Sequence, residues 1–326
     1  MKAIQRIGKY QILCLILALS IFPIYSCSSN SDDMTQEPEG SENPEPENPA
    51  DNKVRTLVAN LGANDGLSID SNGIIYASNY GMAVGTEVVR FDPTSLAIST
   101  AVNNVLAPTG NITDGTGNTF VVHNARPVEP QSNQFIGDVI RIDSDGNRTE
   151  LATLPGFPSG ITLDEQGNVY ISNFAFPGIH RISPDGEITV YVQDQRLAGG
   201  VGIDFDDNGN LYVGNFITGD VLRIDGDKAI EVLATIPTKR ESFVIGYITY
   251  FDNAIFATAP GEHVIYKITL SGETSIFAGS GTEGTEDGSL LQASFDTPNG
   301  IVGDVDRNVL YVTEAEGAAL RLIDLN

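Results

Sequence analysis

The feature that most constrains this chain is a pattern that recurs six times, at intervals of about 40 to 50 residues. Its clearest copy, Pro158 to Gly186, holds short runs rich in Val, Ile and Tyr, separated by turns of Gly, Asn and Asp. A similar copy begins at Val201, and the others begin at Asp65, Thr109, Ile245 and Asn299. Such runs are typical of β-strands joined by hairpin turns. A repeat of this length is one supersecondary unit that buries its apolar face against its neighbours.

Each unit has room for four strands, which is the content of one propeller blade. The sixth unit supplies only three strands, at 300–304, 309–314 and 319–325. Arg55–Leu61 is a lone strand-like segment before the first repeat, and it would complete the last blade and hide two sheet edges. The sequence therefore predicts an all-β fold over residues 53–326, a six-bladed β-propeller whose N-terminal strand closes the last blade.

The repeat resembles a known family in its details. It reads Pro-x-Gly-Ile-x-x-Asp, Gly-Asn-x-Tyr-x-x-Asn, Arg-Ile and Asp-Gly, and it covers nearly all of the chain after Arg55. This pattern resembles the NHL repeat and the related senescence-marker-protein/gluconolactonase superfamily, and the segment from Ala278 to Gly288 is similar to the longer inter-blade segment of NHL proteins. The resemblance implies a six-bladed propeller, and it also implies a gluconolactonase-like hydrolase as one candidate activity.

The first 52 residues are of a different kind. Residues 1–26 carry three cations and then an apolar run, which is the layout of a secretory signal peptide. The signal ends just before Cys27 in a stretch that resembles the bacterial lipoprotein box, so Cys27 is the predicted lipidation site. Residues 27–52 are rich in Ser, Pro and Glu, and this composition predicts a solvated tether. The other cysteine, Cys14, lies in the signal, so the mature chain has no disulfide.

The predicted location and the net charge limit the classes of partner that the protein can bind. A lipid on Cys27 predicts an outer-membrane protein attached by its anchor only and facing the periplasm or the cell surface. Asp32 and Asp33 resemble a surface-export signal, although a plain acidic linker looks the same. The formal net charge of −25 disfavours nucleic acid and anionic headgroups as partners. A small polar molecule, a glycan or a cell-envelope protein remains as a candidate partner.

One propeller face gathers the candidate ligand-binding residues. In each blade, the loop that leads into the innermost strand lies on the same face as the turn after the second strand. The second strands end at this face with Asn79, Asn124, Asn173, Asn215 and Glu314, and His123 lies beside them. Carboxamides both donate and accept hydrogen bonds, and the adjacent Phe174 and Phe216 add apolar area, so this set suits a polar organic ligand. Asn is also a natural turn former, which would require no ligand. The segment from Arg126 to Gly137 is expected to be an enlarged loop on this face.

The resemblance also implies a calcium site, because lactonases of the superfamily hold one metal at the channel mouth with carboxylate and Asn ligands from the residues that lead into the innermost strands. Asp65 matches the first acidic ligand, whereas the later lead-in positions hold Thr109, Ser159, Val201 and Ile245. Asn299 is polar but lies in a blade that the family does not use. Calcium prefers such hard oxygen ligands, so Asp65 and Asn299 are the candidates for a modified site. The residues alone require no cofactor.

Three function classes follow from these observations. The leading hypothesis is a surface-tethered propeller that binds a small polar ligand, a glycan or a protein partner at the channel-mouth face. The alternative is a calcium-dependent lactonase or esterase with a modified metal site. A structural component of a cell-envelope complex is the third, and it would tolerate substitution of the asparagines. The sequence leaves open whether the protein is an enzyme.

Overall fold

The computed structural model describes residues 53–238 and 243–326. The predicted signal peptide, Cys27 and the tether lie outside the described residues. Strand β1 (Val54–Val58) precedes blade 1, which comprises β2 (Leu67–Ile69), β3 (Ile75–Ser78), β4 (Glu87–Asp92) and β5 (Ala97–Asn103). Blade 2 comprises β6 (Asn111–Thr113), β7 (Thr119–Pro127), β8 (Phe135–Ile142) and β9 (Arg148–Pro155), and blade 3 comprises β10 (Pro158–Leu163), β11 (Val169–Asn173), β12 (Gly178–Ile182) and β13 (Ile188–Gln193).

The remaining strands complete the other half of the ring. Blade 4 comprises β14 (Gly200–Phe205), β15 (Leu211–Asn215), β16 (Asp220–Ile224) and β17 (Ile230–Thr235), and blade 5 comprises β18 (Ile248–Phe251), β19 (Ala254–Ala259), β20 (Val264–Thr269) and β21 (Thr274–Ala278). Blade 6 comprises β22 (Pro298–Asp304), β23 (Val309–Glu314) and β24 (Leu320–Asp324). One-turn 3-10 helices lie at Gly81–Ala83, Gln195–Leu197 and Pro260–Glu262. Within the described ranges, no helix has the length and apolar content needed to span a membrane.

Six four-stranded antiparallel sheets confirm the predicted six-bladed β-propeller. The closing strand is confirmed as well, because β1 pairs with β24 as the outermost strand of blade 6, with Val54 opposite Ile323. The strand ends at Val58 and not at the predicted Leu61, and its register shifts between Thr56 and Val58. Leu61 instead donates its N–H to the carbonyl of Ala318.

The core is divided among the blades. Buried apolar side chains form six clusters, each of which lies between two neighbouring blades. In the cluster between blades 6 and 1, Phe91 and Tyr311 are each 0% exposed. Each side chain of this size that is fully buried contributes roughly 1.5–3 kcal/mol. Each blade therefore buries apolar surface against both of its neighbours.

The turns opposite the predicted ligand face explain the sequence motif. Asp164 accepts two backbone N–H groups of its turn through Oδ1, and its Oδ2 accepts from Asn168 at 2.7 Å and from Tyr170 at 3.1 Å. Gly167 supplies the positive φ of +78° that this turn needs. Blade 4 repeats the arrangement around Asp206. The Gly-Asn-x-Tyr pattern thus supplies the positive φ and the side-chain hydrogen bonds of the hairpin turn.

The glycines at the heads of the innermost strands allow the blades to approach one another. A Cβ on Gly160 would lie 2.0 Å from the carbonyl oxygen of Val201 in the next blade. Five blades share this glycine: Gly66, Gly110, Gly160, Gly202 and Gly300.

Blade 5 departs from this pattern and corrects one expectation. Tyr247 takes the place of the glycine, because its N–H donates to Asn299 O and to Thr258 Oγ1, as the glycines of other blades do to their equivalents. The lead-in residue of blade 5 is therefore Gly246 and not Ile245. In blade 5 it is therefore the lead-in residue that must lack a side chain, since a Cβ on Gly246 would lie 2.6 Å from Thr258 Oγ1.

The segment from Arg126 to Gly137 is less of a loop than expected. Strand β7 runs on to Pro127 and β8 begins at Phe135, so only residues 128–134 form the turn. The extra pairing of Arg126 with Ile136 and of Pro127 with Phe135 supplies the backbone hydrogen-bond partners of a hairpin.

Residues 279–297 fasten the closing strand. Val54 and Gly288 exchange both backbone hydrogen bonds, and Asp287 Oδ1 accepts from the N–H of Thr56 at 2.8 Å. Arg321, which is 0% exposed, donates to Asp287 at 3.2 Å and to Glu314 at 2.7 Å. This segment therefore ties β1 to β24 by side chains as well as by the strand pairing.

Candidate functional site

Asn173 and Asn215 end the second strands of blades 3 and 4, but their side chains face the protein. They are 0% and 1% exposed. The Oδ1 of Asn173 accepts the N–H groups of Phe157, Ala175 and Phe176 at 2.8 to 3.0 Å, and its Nδ2 donates to Pro155 O at 2.7 Å.

Asn215 bonds its own loop in the same way, with Oδ1 accepting from Ile217 and Thr218 and with Nδ2 donating to Arg196 O and Ala198 O. Both amides are thus occupied by backbone groups. They fix the loops that carry the next residues, Phe174 and Phe216.

Asn79 and Asn124 lie at the same face and are partly buried. Asn79 donates its N–H to Glu87 O at 3.0 Å, where the turn of blade 1 closes. Asn124 adopts a φ of +57°, a region that Asn enters more readily than most residues. Its Nδ2 donates to Asp138 at 2.7 Å, and Asp138 also pairs with Arg126 at 2.6 Å.

Glu314 and His123 are likewise buried. Glu314 is 0% exposed and pairs with Arg321 at 2.7 Å; burial raises the pKa of its carboxyl, and the charge of Arg321 opposes the rise. His123 is 5% exposed and lies 3.3 Å from Arg148; burial and the charge of Arg148 lower the pKa of its imidazole. Within the described chain, no hydrogen bond joins any two of the six predicted ligand residues, so the structure places them on one face without uniting them in one site.

A different polar group lies at the mouth of the channel. Asn299 Nδ2 donates to Asp65 Oδ1 at 3.2 Å and to Asn64 O at 3.0 Å, and the hydroxyl of Tyr247 donates to the Asp65 carboxylate. Loss of hydration raises the pKa of Asp65 to about 7, although these hydrogen bonds lower it. We call Asp65, Tyr247 and Asn299 the mouth cluster. Blades 1, 5 and 6 each contribute one of its members.

An arc of phenylalanine rings lies on the same face. Centroid separations along it are 6.4 Å for Phe135 and Phe157, 6.4 Å for Phe157 and Phe174, 5.8 Å for Phe174 and Phe216, and 4.8 Å for Phe216 and Phe243. All five rings are partly exposed. We call this set the phenylalanine arc. It extends over the loops of blades 2 to 5.

Below the mouth cluster, the innermost strands line a cavity of about 100 Å³. Tyr247 and Gly66 line it, and so does Asp204 of blade 4. Asp204 accepts from the N–H of Tyr250 at 2.8 Å and from Thr249 Oγ1 at 3.2 Å, and loss of hydration raises its pKa to about 6. The ring of Tyr247 packs against Gly66, since a Cβ on Gly66 would lie 3.1 Å from it.

The lead-in residues do not fit the implied calcium site. The structure does bring Asp65 and Asn299 together, but the amide nitrogen of Asn299 faces the carboxylate. Thr109 Oγ1 donates to Ser159 O at 3.1 Å, and Val201 has no ligand atom in its side chain. Among the described residues, no three His, Cys, Asp or Glu side chains cluster as metal ligands. Calcium takes six to eight oxygen ligands, and one carboxylate with neutral neighbours falls short of that.

The blades and the closing strand define the protein as a six-bladed β-propeller, with a polar cluster and an aromatic arc at one end of its channel. Several solved structures of this class are similar. An auxiliary nutrient binding protein from Bacteroides thetaiotaomicron is 18% identical, with 82% of this chain and 75% of that chain covered and a TM-score of 0.65. A gluconolactonase from Xanthomonas campestris is 13% identical, with 84% and 89% covered and a TM-score of 0.61.

The virginiamycin B lyase of Staphylococcus aureus is also similar, at 16% identity over 84% of this chain and 98% of that chain, with a TM-score of 0.58. These similarities show a shared fold. No family model matches the sequence, and the search of curated proteins found no match.

Sequence reasoning missed Tyr247 as a site residue. Its signal was present, because the repeat has a glycine at that position in the other five blades. The misplaced register of blade 5 concealed it, since Gly246 was matched to the repeat glycine. Phe157 and Phe243 were missed because they lie in connections between blades, where the repeat has no fixed pattern.

Proposed function

We propose that this protein is a surface-tethered binding propeller that captures a small organic ligand at the channel-mouth face. The observation that carries the proposal is that the mouth cluster and the phenylalanine arc lie on one face. A few convergent polar groups beside apolar and aromatic area are the usual composition of small-molecule sites. The similarity to a protein described as an auxiliary nutrient binding protein supports the same function.

In this proposal the predicted asparagines shape the site without touching the ligand. Asn173 and Asn215 hold the loops of Phe174 and Phe216, and Asn124 anchors the hairpin that ends at Phe135. A glycan or a cell-envelope protein would use the same face. The finer family assignment, an NHL-like and gluconolactonase-like propeller, belongs to this proposal and is supported by the hairpin motif and by the similarity to a gluconolactonase fold.

Binding is tested by calorimetry with the purified protein and a panel of sugars, short peptides, amines and lactones. A double variant, Phe174→Ala with Phe216→Ala, is expected to weaken any hit at least tenfold, because it removes the centre of the arc. Ile188→Ala with Val190→Ala is the matched control, since these apolar side chains are 45% and 47% exposed on the outer strand of blade 3. Equal losses in both variants would show that the ligand does not use this face.

The tether is a separate part of the proposal. A lipid on Cys27 would place the propeller at the outer membrane, with the anchor as its only membrane contact. Cys27→Ser should abolish incorporation of a labelled fatty acid and release the protein from the membrane fraction. Proteolysis of intact cells then tells the cell surface from the periplasm. Retention of the label in Cys27→Ser would contradict lipidation at this residue.

A calcium-dependent lactonase is the second candidate. The similarity to a gluconolactonase fold favours it, whereas the amide nitrogen that Asn299 turns toward Asp65 counts against a metal there. A metal that binds only the native state must raise its stability by mass action. We therefore compare thermal unfolding with a chelator and with added calcium, alongside hydrolysis of lactones. A calcium-dependent rise that Asp65→Asn removes would favour the lactonase. An unchanged melting temperature leaves the binding propeller as the better proposal.

A further inference from the structure

We infer that the ligand of the channel-mouth face is an organic cation, with an ammonium group held at Asp65 and an apolar ring or chain against the phenylalanine arc. This inference rests on the proposed function, and it names the chemical class of the ligand. It follows from the charge balance of the mouth cluster, from the composition of the arc and from the charges around them.

The carboxylate of Asp65 has neutral partners. A carboxylate offers about four lone-pair sites. Two side-chain donors reach Asp65, the Tyr247 hydroxyl and the Asn299 amide. Among the described residues, no Lys or Arg forms an ion pair with it. A buried carboxylate without a counter-ion is costly, so a cation placed there gains both an acceptor site and charge compensation.

The phenylalanine arc favours the apolar part of such a ligand. Phenylalanine rings have no N–H or O–H group with which to bind the hydroxyls of a sugar. Their faces instead bind apolar groups and attract cations. The arc includes Phe243, which lies four residues before Tyr247 on the same connection. An ammonium group at the mouth cluster and a ring on the arc are therefore compatible with one small molecule.

The surrounding charges oppose an anionic ligand. Among the described residues, Glu262, Asp296 and Glu316 lie on this face. The guanidinium of Arg126 is already paired with Asp138 at 2.6 Å, and that of Arg196 with Asp194 at 2.9 Å. The charges of the described residues therefore favour the approach of a cation and disfavour a phosphate or a carboxylate.

The probes are 2-phenylethylammonium and its neutral analogue 2-phenylethanol, titrated into the purified protein by calorimetry in mildly basic buffer. The cation is expected to bind at least tenfold more tightly than the alcohol. Asp65→Asn should lower the affinity for the cation at least tenfold and so remove this preference.

Equal affinity of the two probes, or a preference that survives Asp65→Asn, would overturn the inference. If a neutral sugar binds instead and its binding depends on Phe174 and Phe216, the proposed binding function is supported and the inference of a cationic ligand is overturned. If no probe depends on those rings while a ligand binds elsewhere, the proposed function fails together with the inference.

Discussion

The phenol of Tyr247 donates a hydrogen bond to the carboxylate of Asp65, and this contact joins blade 5 to blade 1 across the channel. Blade 6 lies between these two blades in the ring. The contact depends on one departure from the repeat, because the other five blades have a glycine where blade 5 has the tyrosine. Tyr247 also lines the cavity formed by the innermost strands.

The first prediction concerns stability and pH. Burial raises the pKa of Asp65 to about 7 and that of Asp204 to about 6, whereas an unfolded aspartate titrates near pH 3.9. Between about pH 4 and pH 7 the native state holds protons that the unfolded state releases, so stability should fall as the pH rises. Asp65→Asn should flatten this fall by up to about 1.4 kcal/mol per pH unit. Urea unfolding across this range measures the slope, and identical slopes for the two proteins would contradict the raised pKa.

The second prediction concerns the asparagine that holds the loop of Phe174. Asn173→Ala removes a side chain that bonds three backbone N–H groups and one carbonyl, and should cost about 2 kcal/mol. Hydrogen exchange at Ala175 and Phe176 should accelerate, because both amides lose their acceptor. Asn147→Ala is the control, since this exposed asparagine bonds only its own turn, and its effect should stay within about 0.5 kcal/mol. Unchanged exchange in Asn173→Ala would show that the loop does not need the amide.

The sequence was sufficient to predict the propeller, because every blade repeats the same strand and turn chemistry. Tyr170 and Asp164, for example, recur as Tyr212 and Asp206 with the same hydrogen bond. The site was harder to predict, since a ligand site uses what differs between blades. A repeat alignment also cannot tell an exposed asparagine from one whose amide bonds backbone, and Asn173 is of the second kind.

The third prediction concerns ring closure. Removing residues 53–61 deletes β1 together with buried Val54 and Leu61, exposes the edge of β24 and leaves Asp287 without its contact to Thr56. The loss should reach about 5 kcal/mol or more and lower the melting temperature by at least about 10 °C. Removing residues 27–52 should leave the melting temperature unchanged. Equal melting of the two truncated proteins would show that β1 does not close the ring.

The fourth prediction concerns Arg321 and Glu314, which are both 0% exposed and 2.7 Å apart. Arg321→Met leaves a buried carboxylate without its partner and should cost about 3 to 5 kcal/mol. Glu314→Gln should cost less, because Arg321 keeps Asp287 and the carbonyls of Ser294 and Glu286. The double variant should lose less stability than the sum of the two single variants, because it removes both charges of the pair and leaves no unpaired charge.

Acid should partly rescue Arg321→Met. Burial raises the pKa of Glu314, and removal of the arginine charge that opposes this rise leaves the native state with a carboxyl that binds a proton more tightly than it does in the unfolded chain. The stability of the variant should therefore increase as the pH falls toward the pKa of an unfolded glutamate. Urea unfolding of the single and double variants in mild acid and in mild base measures both effects. Additive losses with no pH dependence would show that solvent or a structural rearrangement compensates the charge of Glu314.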